Sequence, residues 1–193
     1  MAMDDQARWD RRHAAGHGSD QPSFFLREIF EGGIWRIAAG RALDVATGRG
    51  RNAIFLAERG FDVTALDISP AALEAARRRA AEKVLSISWQ QADLEQIELP
   101  AASYDLVVNF NYLQRPLIAR IKAALKVGGH VIFETYLIDQ QAAGHPKNPA
   151  FLLGHNELLE LFRDFRVLWY REGKFSDGGE AAHRAGLLAR KIG

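Results

Sequence analysis

The segment Leu43-Asp-Val-Ala-Thr-Gly-Arg-Gly-Arg-Asn52 combines two glycines, a carboxylate inside an apolar run and the start of a helical stretch. Gly48 and Gly50 let the backbone turn tightly and approach a ligand with no Cβ in the way, and the following helix offers N–H groups that have no partner inside the helix. A strand that runs through such a loop into a helix is a ligand site. Gly48, Gly50 and Ala53 also satisfy the loose dinucleotide fingerprint G-x-G-x-x-G/A, so the loop by itself leaves the ligand open.

Three acids narrow it. Asp44 lies four residues before Gly48, where a dinucleotide site usually has only apolar residues. A carboxylate there must be solvated, paired with a neighbouring arginine or amide, or bound to the cationic end of a ligand. Asp67 follows Gly50 by 17 residues, close to the spacing at which a second-strand acid accepts both ribose hydroxyls. Asp93 ends the next strand and can accept from an adenine amino group, with Ile68 and Leu94 packing the ring faces. In a doubly wound sheet, ligands bind beyond the carboxyl ends of the strands, so the three acids converge.

The elements that carry these residues alternate between strand-like and helix-like, the pattern of an α/β protein with a mostly parallel, doubly wound, Rossmann-like sheet covered by helices on both faces. Strands are predicted over Arg41–Ala46, Phe61–Leu66, around Ile87 and Trp89, Tyr104–Phe110 and His130–Leu137. The helices predicted between them run from Asn52 to Arg59, stopped by Gly60; from Pro70, capped by Ser69, to Lys83; and from Pro116 to Lys126, stopped by Gly128-Gly129. Residues 140–149 read as an irregular loop that shapes a substrate pocket, and Asn156 as the cap of a helix to Arg163. Phe165–Arg171 and Ala185–Lys191 form a terminal antiparallel hairpin, bringing the strands to seven. Residues 1–40 are an N-terminal helical or lid segment with one helix around Ser23–Phe30, ahead of the domain at 41–193.

On the motif Asp-Val-Ala-Thr-Gly-Arg-Gly50, with Asp67, Asp93, Tyr-Asp-Leu-Val-Val108 and Leu-Lys-Val-Gly-Gly129, residues 40–137 resemble the class I S-adenosylmethionine (SAM) dependent methyltransferases. The resemblance implies SAM as cofactor. It puts Asp44 and Gly48 near the methionine end, Asp67 on ribose, Asp93 and Leu94 on adenine, and Asn109 to Tyr112 beside the sulfonium. Ala46 and Thr47 stand where many members have cysteine or glycine, and with Asn52 they complete the cofactor loop.

Gly-Arg-Gly-Arg-Asn52 followed by Phe-Leu-Ala-Glu-Arg-Gly-Phe-Asp-Val63 is similar to the tellurite-resistance (TehB-like) methyltransferases. That family carries a C-terminal His-Arg pair proposed to serve the substrate, which implies catalytic roles for His183 and Arg184. A further arginine expected between that pair and the Leu-Ala-Arg-Lys191 ending has no counterpart. The N-terminal Arg8-Trp-Asp-Arg-Arg-His13 resembles the segment that folds over the cofactor, with Trp9 against an apolar ligand face and Arg12 on the SAM carboxylate.

Composition sets the remaining bounds. Hydrophobic residues make up 48% and charged residues 25% of 193, ordinary for a globular chain. A net charge of +1 provides no basic field for nucleic acid, and Arg77-Arg78-Arg79 reads as a solvated helix face. With no cysteine there is no thiol nucleophile or thiolate zinc site, and the histidines lack metal-binding spacing, so no metal is expected. The acidic N-terminus and the lack of a long apolar run point to a cytoplasmic protein without a membrane span. The oligomeric state stays open.

Together these readings predict in-line methyl transfer to a small-molecule acceptor, a metalloid oxyanion or a thiol-like nucleophile. Two others stay open: a SAM-binding sensor or partner subunit without transferase activity, and a nicotinamide-dependent oxidoreductase.

Overall fold

In the computed structural model, residues 19–177, 179 and 181–193 are described. Trp9 and Arg12 therefore lie outside the described residues. The strands are β1 Arg41–Val45, β2 Asp62–Asp67, β3 Ser88–Gln91, β4 Tyr104–Phe110, β5 Leu125–Tyr136, β6 Phe165–Phe175 and β7 Ala182–Lys191. They form one sheet in the order β3-β2-β1-β4-β5-β7-β6. The first five run parallel, and β7 lies antiparallel between β5 and β6. The sheet is the doubly wound one that the alternation predicts.

The helices are α1 Phe24–Glu31, α2 Arg51–Ala57, α3 Pro70–Glu82, α4 Arg115–Ala124, α5 Gln140–Ala143 and α6 Glu157–Leu161. β4 is apolar on both faces because both are covered: Val107 joins Leu43, Val45, Phe133 and Phe162 on one side, while Leu106 and Val108 join Phe25, Ala42, Phe55 and Ile132 on the other. The period of two assigns every side chain to a face. Ser69 caps α3 as expected, accepting the Ala72 amide at 3.1 Å, with Pro70 in the first turn.

Long-range pairing moves several expected boundaries. The helix expected to stop at Gly128-Gly129 ends at Ala124, and β5 begins at Leu125 instead of His130. Leu125 pairs with Tyr104, and the Lys126 amine reaches the two Asp105 oxygens at 2.9 and 2.8 Å, so tertiary bonds override local helix preference. Both hairpin strands are longer than expected, because β6 and β7 stay in register to Phe175 and Ala182. His183 and Arg184 thus sit opposite Lys174 and Gly173 within the ladder.

Smaller differences have local causes. β1 stops at Val45 because Ala46 turns into the left-handed region, φ 53°, and β2 continues to Asp67 by pairing with Gln91. Asn156 also adopts positive φ, 60°, and its side chain makes no cap; the Glu157 carboxylate accepts the Gly154 amide at 2.7 Å, and α6 stops at Leu161. The segment 140–149 is less irregular than expected, since it opens with α5. Arg79 is more than a solvated charge: it donates to the carbonyls of Arg49 at 2.8 Å and Asp20 at 2.9 Å, tying α3 to the glycine loop.

Candidate functional site

The carboxyl ends of the parallel strands open onto a cavity of about 940 Å³. That volume lies near the upper end of the roughly 300–1,000 Å³ usual for small-molecule sites. The β1–α2 loop forms its floor, because Gly48 at φ 55° and Gly50 at φ 75° allow the reversal that ends the strand and starts the helix. The two glycines differ in purpose. Gly48 lines the cavity, whereas a Cβ on Gly50 would lie 2.5 Å from the Trp89 ring and 2.9 Å from Ala76. Gly50 serves packing between the loop and α3, not ligand approach.

Asp67, at the end of β2, is buried with one oxygen accepting the Gly48 amide at 2.7 Å and the other the Ser69 amide at 2.9 Å. This carboxylate joins the floor to the start of α3 and also lines the cavity. Asp93 accepts the Glu95 amide at 2.9 Å and the Gln96 side-chain amide at 3.0 Å, and it lines the same end with Ile68 and Leu94. Two acids and two aliphatic side chains therefore meet at one end, as their spacing predicts.

Asp44 lies behind the cavity lining. Its side chain is 1% exposed and accepts the Thr47 hydroxyl at 2.5 Å. Burial pushes its carboxyl up to about 7, against the opposing pull of Thr47 and Arg51. Ala46, Thr47 and Asn52 reach the lining, and Asn52 also accepts the Ser23 amide at 2.9 Å, fixing the start of α1. Tyr112 lines the cavity and Asn109 does not; the Asn109 amide donates to the Tyr112 carbonyl at 2.8 Å from beneath.

The opposite end is cationic. Arg184 lines the cavity from β7, donating to the Asn111 side-chain oxygen at 2.6 Å and the Tyr136 hydroxyl at 2.9 Å, with its guanidinium 4.2 Å from the Tyr136 ring centre. His183 points outside the lining, and its backbone amide donates to Gln140 at 2.8 Å. The chain from His145 to Phe151 closes this side, so the loop expected to shape a pocket does line one.

Phe110 and Asn111 line the cavity within the 109–112 segment that the resemblance put beside the sulfonium, while Arg51 and Tyr136 are lining residues that escaped the sequence reading. Asn111 and Tyr136 sit at the carboxyl ends of β4 and β5, where the rule that found Asp67 and Asp93 also applies. Behind them Glu134, 4% exposed, joins Arg171 at 2.5 Å and Arg184 at 3.7 Å. Burial raises the Glu134 carboxyl, opposed by these two arginines. No group of three or more potential metal ligands occurs among the described residues, and no helix of the described residues is long and apolar enough to cross a membrane.

Similarity to known proteins follows the same outline. Residues 42–129 match the methyltransferase domain family. The chain is 32% identical over 159 residues to a ubiquinone biosynthesis O-methyltransferase of Alkalilimnicola ehrlichii, covering 79% of this chain and 62% of that protein. It is 27% identical over 165 residues to a probable S-adenosyl-L-methionine-dependent methyltransferase, TehB, of Haemophilus influenzae, covering 78% of this chain and 57% of the relative. The crystal structure of TehB from Haemophilus influenzae superposes with a TM-score of 0.70 at 25% identity, covering 80% of this chain and 58% of that one. The chain spans between 44% and 62% of the length of the first curated relatives.

Proposed function

We propose that this chain, a class I SAM-dependent methyltransferase by domain and fold and similar to TehB, binds SAM along the carboxyl edge of its sheet and transfers the methyl group to a small-molecule nucleophile. The observation that carries this is the polarity of one cavity, with Asp67, Asp93, Ile68 and Leu94 at one end and Arg51, Arg184 and Tyr136 at the other.

The acidic end fits a nucleoside. Asp67 lines this end at the spacing where a second-strand acid meets ribose hydroxyls. Asp93 accepts one hydrogen on each oxygen and has a further lone pair on each for an adenine amino group, and Ile68 and Leu94 bracket the ring. Asp44 holds Thr47 from behind at the methionine end.

When bound, SAM would supply a methyl group already activated for displacement by its sulfonium. Because the electrophile is already activated, the residues chiefly align the acceptor and exclude water. Tyr112, held by Asn109, borders the reacting centre, and Arg184 faces it from β7. His183 would act in proton removal only after its ring turned toward the cavity.

The acceptor is a metalloid oxyanion or a thiol-like nucleophile. Space beside the cofactor end, bounded by His145, Lys147 and Phe151, supports a transferase over a protein that only senses SAM. The test is methyl transfer from labelled SAM to selenite and to a small thiol. Labelled product with either supports the reading; none from a protein that binds SAM favours the sensor.

A further inference from the structure

The cavity occupies one edge of the sheet, and the opposite edge, formed by the N-terminal ends of the parallel strands, carries a different chemistry. Among the described residues the four most exposed large hydrophobic side chains, Ile34, Val84, Val127 and Ile192, are 54% to 93% exposed, and all four lie at this second edge. Ile34 sits between α1 and β1, Val84 between α3 and β3, Val127 near the start of β5, and Ile192 just after the antiparallel β7. Val84 is 93% exposed at a φ of 56°. A β-branched residue is strained there, so the backbone holds an apolar side chain out in solvent with no packing to offset the strain.

Cations gather at the same edge. Arg166 and Arg190 stand directly opposite each other across β6 and β7, and His130 continues the row opposite Arg190 on β5. Like charges so opposed repel, and burial together with the Arg190 charge holds the His130 pKa below its ordinary value. Lys83, Arg59 and Lys126 of this edge each hold a carboxylate, from Glu58, Glu31 and Asp105. Arg36, Arg163, Arg166 and Arg190 have none within 4.0 Å among the described residues, and they outnumber the acids there without a close cation, Asp62, Glu82 and Glu160. Arg166, Arg190 and Lys191 line a groove of about 320 Å³ together with Val127 and Ile192.

We propose that this edge docks peripherally on an anionic phospholipid surface, with lipid phosphate groups held by Arg166 and Arg190 and with Ile34, Val84, Val127 and Ile192 entering the headgroup and acyl boundary. Charge selects the occupant. Unpaired arginines attract anionic headgroups and repel a second copy that presents the same edge. The aliphatic side chains protrude singly at separate points instead of forming one packed patch, which suits a fluid interface better than a shaped protein partner. Docked in this way, the chain turns its cavity away from the lipid and towards acceptors in solution, whatever the cavity binds.

The test is co-sedimentation of the full chain with vesicles of phosphatidylcholine alone and of phosphatidylcholine with about 30% phosphatidylglycerol. Binding to the anionic vesicles should be at least about tenfold stronger than to the neutral ones, and high salt should weaken it. The Arg166→Gln, Arg190→Gln double variant should lose about twentyfold, since each arginine near the surface contributes about fivefold, and Val84→Ser about threefold or more. Arg166→Gln relieves the repulsion across β6 and β7, so its Tm should hold or rise, which separates lost docking from lost folding. No binding to either vesicle, equal binding to both, or a double variant that binds as tightly as the unsubstituted protein would overturn the proposal. A monomer–dimer equilibrium in sedimentation velocity that Val127→Ser abolishes would assign the edge to a second copy and overturn it as well.

Discussion

The Asp67 carboxylate accepts the Gly48 amide at 2.7 Å across the 19 positions between them, closing the β2 end onto the glycine loop. One residue thus shapes the floor of the cavity and also lines it. Asp67→Asn preserves the shape, but one amide hydrogen of the new side chain must face a donor or the ligand. Affinity for S-adenosylhomocysteine should fall by about tenfold or more, roughly 1.4 kcal/mol, measured by calorimetry. Unchanged affinity would remove Asp67 from the ribose site.

Asp44 makes stability depend on pH. Its carboxyl moves from the ordinary 3.8 up to about 7 on folding because burial disfavours the charge. The folded state therefore holds its proton more tightly than the unfolded state. The neutral acid costs nothing below about pH 4, and stability is lost progressively as pH rises towards 7. Asp44→Asn, which still offers Thr47 an acceptor, should gain little at pH 4 and about 4 kcal/mol at pH 8. Denaturant unfolding at both values checks this. An equal effect at the two would show that Asp44 does not titrate on folding as described.

Gly50 combines a positive φ of 75° with a Trp89 contact that a Cβ would bring to 2.5 Å. Gly50→Ala should cost about 2–4 kcal/mol from left-handed strain and overpacking, lowering Tm by roughly 4–15 °C for a chain of this size. Gly33, also at positive φ but with open space around its Cβ position, meets only the first of these penalties and should show a smaller drop on replacement by alanine. Thermal melts of the two variants separate packing from backbone strain.

Glu134 stands between two guanidiniums in the interior. Replacing it with glutamine leaves Arg171 with Asp177 and Glu28 but takes from Arg184 its carboxylate partner within 4.0 Å among the described residues, and should destabilise by about 1–3 kcal/mol, less than the usual effect of breaking an isolated buried ion pair. The Glu134→Gln, Arg184→Met double variant removes the charge left without a carboxylate partner and should recover part of the loss. A double variant as unstable as the sum of the single ones would show that the two side chains do not interact.

Much of the fold was legible because it rests on period and on spacing. The apolar run Tyr104–Phe110 is a strand with the same limits in sequence and structure, and Ser69-Pro70 starts a helix by local chemistry alone. The start of β5 was not legible, since Leu125 and Lys126 follow a helical pattern until Tyr104 and Asp105 arrive from elsewhere in the chain. The same limit applies to the site. Asp67 is found by counting from the glycines and Asp93 as the acid that ends the next strand, while the burial of Asp44 behind Thr47 depends on which face of β1 each residue takes. Arg51 was visible within the motif, yet nothing local says that it and Arg184, 133 positions later, would share one cavity. That pairing exists only because β7 inserts between β5 and β6.

The central claim is that the cavity is a SAM site, and thermal denaturation with S-adenosylhomocysteine and NAD in parallel tests it most directly. At 100 times its dissociation constant, S-adenosylhomocysteine should stabilise the folded chain by about 2.7 kcal/mol, raising Tm by roughly 5–10 °C, while NAD leaves it unchanged. A shift with NAD and none with S-adenosylhomocysteine would contradict the account.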